Sequence, residues 1–231
     1  FFPRNGSLVL LGLYALGIIM AIISARIMSR FIKDDNLPFV MELPPYRVPT
    51  SKSVFRHTWE KGKQYLHKMA GIILVASIII WFLGYFPHHD RYSNPAEQQE
   101  NSYIGKIGKA IEPVLEPLGF DWKMGVGIIS GVAAKELVVS TMGVLYSGEY
   151  DSYEDAGGDT MLQNALARTT TPAAALAFMV FVLLYFPCIA TFVAIKNESG
   201  GWKWAIISAV YTIALAWIVA FIVYRVAMLL M

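Results

Sequence analysis

Charge-free apolar runs alternate with charged connections along this chain, and the runs have membrane-crossing length. Ser7 to Ala25 holds no charged residue, and neither do Met69 to Pro87, Thr169 to Ile195 or Trp204 to Tyr224. Each approaches the roughly 20 apolar residues that carry a helix across a bilayer. The pattern predicts four spans at about 7–28, 69–87, 172–195 and 204–229. A fifth apolar run, Met124 to Tyr146, has Lys135 and Glu136 at its centre. It either crosses or folds back as a re-entrant segment. The expected fold class is all-α: a polytopic integral membrane helical protein with about four to five spans, one of them re-entrant or broken, plus interfacial amphipathic helices.

Two segments have one apolar face and are too polar to span. In 52–69, Phe55, Trp59, Gly62, Leu66 and Met69 recur at helical spacing among basic residues. That pattern predicts a helix lying in the headgroup boundary. In 104–118, Ile104, Ile107, Ile111, Leu115 and Leu118 make a second stripe. Pro113 and Pro117 lack an amide hydrogen and restrict the residues before them, so this helix is expected to kink or stop near Glu112. Met41-Glu42-Leu43-Pro44-Pro45-Tyr46-Arg47-Val48-Pro49 reads as an extended, polyproline-like elbow between a span and the surface helix.

Composition sharpens this picture. Of 231 residues 56% are hydrophobic and 16% charged, and mean hydropathy is +0.49. Soluble domains carry about a quarter charged residues. The net charge of +2 supplies no global field for nucleic acid, so no nucleic-acid partner is expected. Local charge is more telling. Arg30, Lys33, Arg47, Lys52, Arg56, Lys61, Lys63 and Lys68 fall between the first two spans, which places 30–68 on the cytoplasmic side. The mixed connection 88–123 then faces outward. If 124–146 crosses, the acidic loop 148–171 and the C-terminus lie inside; if it folds back, both lie outside. The lone Cys188 excludes an intrachain disulfide, and a start at Phe1 suggests a fragment with a segment upstream.

Candidate chemistry sits in two apolar segments. An ionised side chain at a helix centre costs about 2.5–3.5 kcal/mol on insertion scales, so Lys135 and Glu136 must face protein or water. On helical spacing Glu136 shares a face with Val132, Ala133, Ser140 and Gly143, while Gly127 and Gly131 offer a small face to another helix. A structural ion pair and a cation pathway both fit. In Tyr185-Phe186-Pro187-Cys188-Ile189-Ala190-Thr191, Pro187 frees the carbonyl of Leu183, and Thr191 lies one turn beyond Cys188. A broken span with free carbonyls, a thiol and a hydroxyl is how transporters build midplane sites. A thiolate suits iron, although a buried Cys is also an ordinary small apolar filler. His88-His89-Asp90 reads as a solvated loop end. Asp151, Glu154, Asp155 and Asp159 depart from a calcium loop at Tyr153 and Ala156. No GxxxxGK[ST], HExxH or GxSxG occurs, so neither nucleotide hydrolysis nor any other enzymatic step is expected of this chain.

The elbow Met41 to Pro49 also resembles a motif of the ferrous iron transport protein B (FeoB) family. The likeness continues through His57-Thr58-Trp59-Glu60, Ile111-Glu112-Pro113, Glu116-Pro117-Leu118-Gly119, Gly131-Val132-Ala133-Ala134-Lys135-Glu136 and Pro187-Cys188. The motifs keep the family's order and cover about 40–200. The resemblance implies the membrane permease part of a bacterial Fe2+ uptake transporter in the inner membrane. In that family a cytoplasmic GTP-binding domain, with GTP and Mg2+, controls two gate-like halves. That domain and the first gate are absent from this sequence. The implied organisation is 1–50, a span and elbow; 51–123, interfacial helix, span and outer loop; and 124–231, a second gate-like region with three membrane segments. Cys188 and Glu136 match the family's pathway ligands, with Pro187, Thr191, Lys135 and Ser140 shaping the path. Fe2+ is then a substrate and no cofactor is implied in this chain. The implied partners are the lipid bilayer, the absent GTPase domain and first gate, a small cytoplasmic accessory protein, and further copies of the chain. The alternatives are half of another gate-type transporter, for nucleosides for example, or a non-transporting membrane subunit.

Overall fold

The computed structural model describes residues 6–31, 49–87, 95–147, 166–186 and 188–230, and all its regular elements are helical. Outside these lie Met41 to Val48 of the elbow, His88-His89-Asp90, the acidic residues Asp151 to Asp159, and Pro187. Two compact units are present: Arg4–Ala70 and, for the greater part of the chain, Gly71–Met231.

The first unit contains α1 (Gly6–Phe31), a helix apolar all round. Leu8, Leu11, Tyr14 and Ile18 are all exposed, as suits contact with lipid tails. Next in sequence is α2 (Ser51–Tyr85). A surface helix over 52–69 and a separate span from 69 were expected, but they form one helix. Nothing between them ends it: the isolated Gly62 and Gly71 each weaken a helix by about 1 kcal/mol without terminating it.

In the second unit, α3 (Pro95–Asn101) and α4 (Tyr103–Leu115) lead into a 3-10 turn, Glu116–Leu118. The Ser102 side chain accepts from the Gly105 amide at 3.2 Å and so starts α4. This helix does not stop at Glu112. It runs through Pro113, and the Glu116 amide donates to the Glu112 carbonyl. Its buried side is Ile104, Gly105, Gly108 and Leu115, whereas Ile107 and Ile111 are exposed. The expected apolar stripe is thus only half used. Gly108 lets α5 come close: a Cβ there would sit 2.7 Å from Val126 Cγ2.

The apolar run 124–146 is two helices, α5 (Trp122–Gly131) and α6 (Glu136–Ser147). They pack antiparallel. Gly127 faces Val138 and Met142, and Gly131 faces Val138 again. At the open end, the Tyr146 hydroxyl donates to both carboxylate oxygens of Asp121, at 3.0 and 2.8 Å. Asp121 also caps α5, accepting from the Met124 amide at 2.9 Å. The segment is therefore a hairpin that folds back, with its tip at Val132 to Lys135.

Thr171 caps α7 (Pro172–Leu184), whose chain breaks and resumes as α8 (Ile189–Glu198). After Gly200, with φ of 70°, α9 (Trp202–Leu230) packs along both. The buried residues of α9 are Ala205, Ala209, Ala216, Ala220 and Ala227. Without a bulky side chain on that face, the helix backbones approach closely, as membrane helices require.

Gly119 joins the 3-10 turn to this bundle with φ of 76°, and a Cβ there would meet the Tyr224 ring at 2.6–2.9 Å. Gly119→Ala is expected to destabilise the purified protein by about 1–3 kcal/mol through backbone strain plus overpacking. Gly200→Ala, also at positive φ but with open space around it, should cost less. Thermal unfolding of the two variants checks the difference.

Candidate functional site

The hairpin tip meets the break between α7 and α8, and three hydrogen bonds join them. The Ile189 amide, at the start of α8, donates to the Val132 carbonyl at 2.9 Å. Lys135 Nζ donates to the Val182 carbonyl, in the last turn of α7, at 3.2 Å. The Tyr185 hydroxyl donates to the Ile128 carbonyl at 3.5 Å. Helix ends leave backbone groups without intrahelical partners, and here the tip supplies partners to both halves of the broken span. Gly131 makes the approach possible. A Cβ at that position would collide with the Tyr185 hydroxyl and with Val138.

Lys135 also lies over the Tyr185 ring, 5.1 Å from its centroid. Cys188 is half-buried at the cap of α8, and its Sγ lies 3.4 Å from Thr191 Oγ1. Cys188 and Thr191, one turn apart in the sequence, are thus within hydrogen-bond reach of each other.

Glu136 is placed differently. It opens α6, where a carboxylate suits the positive end of the helix dipole, and it is exposed together with Ser140. Val132 and Ala133 lie in the turn and do not continue its helical face. It makes no ion pair with Lys135 among the described residues. No group of three or more His, Cys, Asp or Glu side chains comes together among the described residues. The site is instead one thiol, one hydroxyl, helix-end carbonyls and an ammonium. Sequence reasoning gave Tyr185 and Val182 no role, because their part depends on a tip more than forty residues away.

The other face of the hairpin borders a cleft of about 310 Å³ lined by Trp81, Gln98, Gln99, Ser130 and Thr141 among others. Gln99 Oε1 is buried without a protein partner there.

Against known families, residues 66–202 match the model described as Gate: Nucleoside recognition, and residues 10–61 match Ferrous iron transport protein B C terminus. The chain belongs to the ferrous iron transport protein B family. Within that family it is 48% identical, over 99% of its length, to the Fe(2+) transport protein A/Fe(2+) transporter FeoB fusion protein of Porphyromonas gingivalis. It is 40% identical over its full length to the Fe(2+) transporter FeoB of Campylobacter jejuni, and 39% identical over 98% to that of Staphylococcus aureus. It covers 32%, 38% and 32% of those relatives respectively, so the chain spans about a third of their length. No solved structure matches it. The Gate match contains the whole hairpin and the broken span, so the contact between them lies inside the region that defines the match.

Proposed function

We propose that this chain is the membrane permease portion of a ferrous iron uptake transporter of the cytoplasmic membrane, and that iron passes the contact between the hairpin tip and the helix break. The observation that carries the reading is that contact itself, in a chain whose relatives along nearly all its length are named Fe(2+) transporters. Non-helical backbone at membrane depth is tolerated where it is buried in protein or lines a water-filled cavity, and transporters build their sites at such breaks. Iron(II) accepts sulfur and oxygen ligands, and passage requires ligands that also release it. Cys188 and Thr191 would provide the thiol and hydroxyl, with Pro187 keeping the span open. Glu136 and Ser140, exposed on α6, would face the first gate-like half or a water-filled path. The parent protein's GTP-binding domain would control opening, and the fusion in Porphyromonas gingivalis supports an accessory protein related to Fe(2+) transport protein A.

Uptake of radiolabelled iron by the full-length protein in proteoliposomes, set against a panel of nucleosides, tests the reading. Iron uptake that nucleosides do not compete with is expected. Nucleoside uptake without iron uptake would favour the function named in the Gate description.

Because the hairpin folds back, the basic segment 30–68 inside places both 148–171 and the C-terminus outside. In full-length protein with its native cysteines replaced, Leu230→Cys should react with a membrane-impermeant thiol reagent in intact cells. Ser53→Cys should be protected. The opposite pattern would overturn the topology.

A further inference from the structure

The cleft of about 310 Å³ between the end of α2 and the hairpin has all its lining in the larger unit. Its two ends differ in depth. Near the end of α2, Trp81 and Tyr85 stack at 5.1 Å, and such rings mark the boundary between membrane and water. Gln98 and Gln99 line this rim from α3, in the connection that faces outward. Ser130, 2% exposed, lies deepest. It precedes Gly131, which abuts Tyr185 at the helix break, so the cleft runs from the outer rim toward the hairpin tip. Thr141 adds a second hydroxyl from α6.

The lining selects the occupant. Among the described residues it has no charged side chain, thiol or imidazole, so a bare metal ion finds no strong ligand there. It presents carboxamide and hydroxyl groups instead, which accept hydrogen bonds from water. Gln99 Oε1 has no protein donor. An unpaired buried carbonyl costs about 1–3 kcal/mol, so this side chain gains by turning to water in the cleft. At about 30 Å³ per water, the six waters of an octahedral aqua ion occupy about 180 Å³, which the cleft exceeds. Ser130 also belongs to the last turn of α5, the negative end of that helix dipole. A partial charge of this kind favours a cation without trapping it, as passage requires.

We propose that the cleft is a water-filled inlet, open to the outer face, that admits Fe2+ with its water shell intact and leads it to the hairpin tip. This deepens the transport reading: the identity of the ion rests on that reading, and the presence of water rests on the cleft alone.

Two measurements on full-length protein test it. For access, Thr141→Cys is made in protein whose native cysteines are replaced, and intact cells receive a cationic, membrane-impermeant methanethiosulfonate. Thr141→Cys is expected to react, whereas Ile218→Cys, exposed on the apolar α9, is not. For occupancy, hexaamminecobalt(III) is added outside. It resembles an aqua ion in size and shape but keeps its ligands, so it enters the inlet and forms no bond to Cys188. It should slow the modification of Thr141→Cys and inhibit iron uptake by protein with its native cysteines. Thr141→Val loses the hydroxyl and should weaken that inhibition roughly threefold to tenfold, and Thr141→Ser should retain it. Folded Thr141→Cys that does not react, modification that hexaamminecobalt(III) does not slow, or unchanged inhibition in Thr141→Val would each overturn the inlet. Modification and protection in a protein that takes up no iron in any form would leave the inlet standing and overturn the transport reading instead.

Discussion

Full-length protein carrying Gly131→Ala is expected to reach the membrane and to lose iron uptake by about tenfold or more. The added Cβ lands on the Tyr185 hydroxyl and on Val138, neither of which has room to retreat. Overpacking of this kind costs about 1–3 kcal/mol, and about 1.4 kcal/mol already amounts to tenfold in an equilibrium. The least costly relief is for the tip to move off the break, which lengthens the bonds from Ile189 to Val132 and from Lys135 to Val182. Gly143→Ala is the control. Its Cβ meets nothing within 4 Å, and alanine in a helix interior is favoured over glycine by about 0.5–1 kcal/mol. Uptake per inserted molecule should stay normal in that variant. Equal uptake by the two variants would show that the tip contact has no part in transport.

The second large effect is expected at Cys188. Serine there keeps a small polar group at hydrogen-bond distance from Thr191 but exchanges sulfur for a harder oxygen. Iron uptake should fall while preference shifts toward manganese. If the thiol only fills space, alanine, serine and valine at 188 should rank by volume, and serine should retain normal iron selectivity. Glu136→Gln separates its two readings in the same assay. A pathway carboxylate predicts low uptake at normal protein level. Because Glu136 is exposed and unpaired with Lys135, a structural role would appear only as loss of folded protein.

Much of the second unit was legible from local pattern because its causes are local. Pro187 follows an apolar run, and the break between Leu184 and Ile189 lies there. The Gly127 and Gly131 face was expected to receive a helix, and it receives α6. The partner of that face was not legible, since small residues show only that something comes close. Nor was the direction of Lys135. Spacing along one continuous helix put weight on Glu136 and its supposed face, but the helix stops before it. Similarly, Gly105 and Gly108 carry no hydrophobic signal, so the stripe read along 104–118 was right at Ile104, Leu115 and Leu118, which are buried, but included Ile107 and Ile111, which the fold leaves exposed.

Hydropathy and charge by themselves determined that this is an all-α membrane protein, where its apolar segments lie and which connection is basic. These follow from the cost of placing charge and unpaired backbone groups in hydrocarbon, a cost paid residue by residue. Whether Met124 to Tyr146 crosses or returns was decided only by tertiary structure. Val132-Ala133-Ala134 contains good helix formers and no proline, so propensity alone would carry a helix straight through. The chain turns there because the broken span takes up what the turn leaves unpaired. Ile189 donates to the Val132 carbonyl, Val182 accepts from Lys135, and two glycines let the arms close on Val138 and Met142. A turn stabilised by partners more than forty residues away leaves no mark on the local sequence.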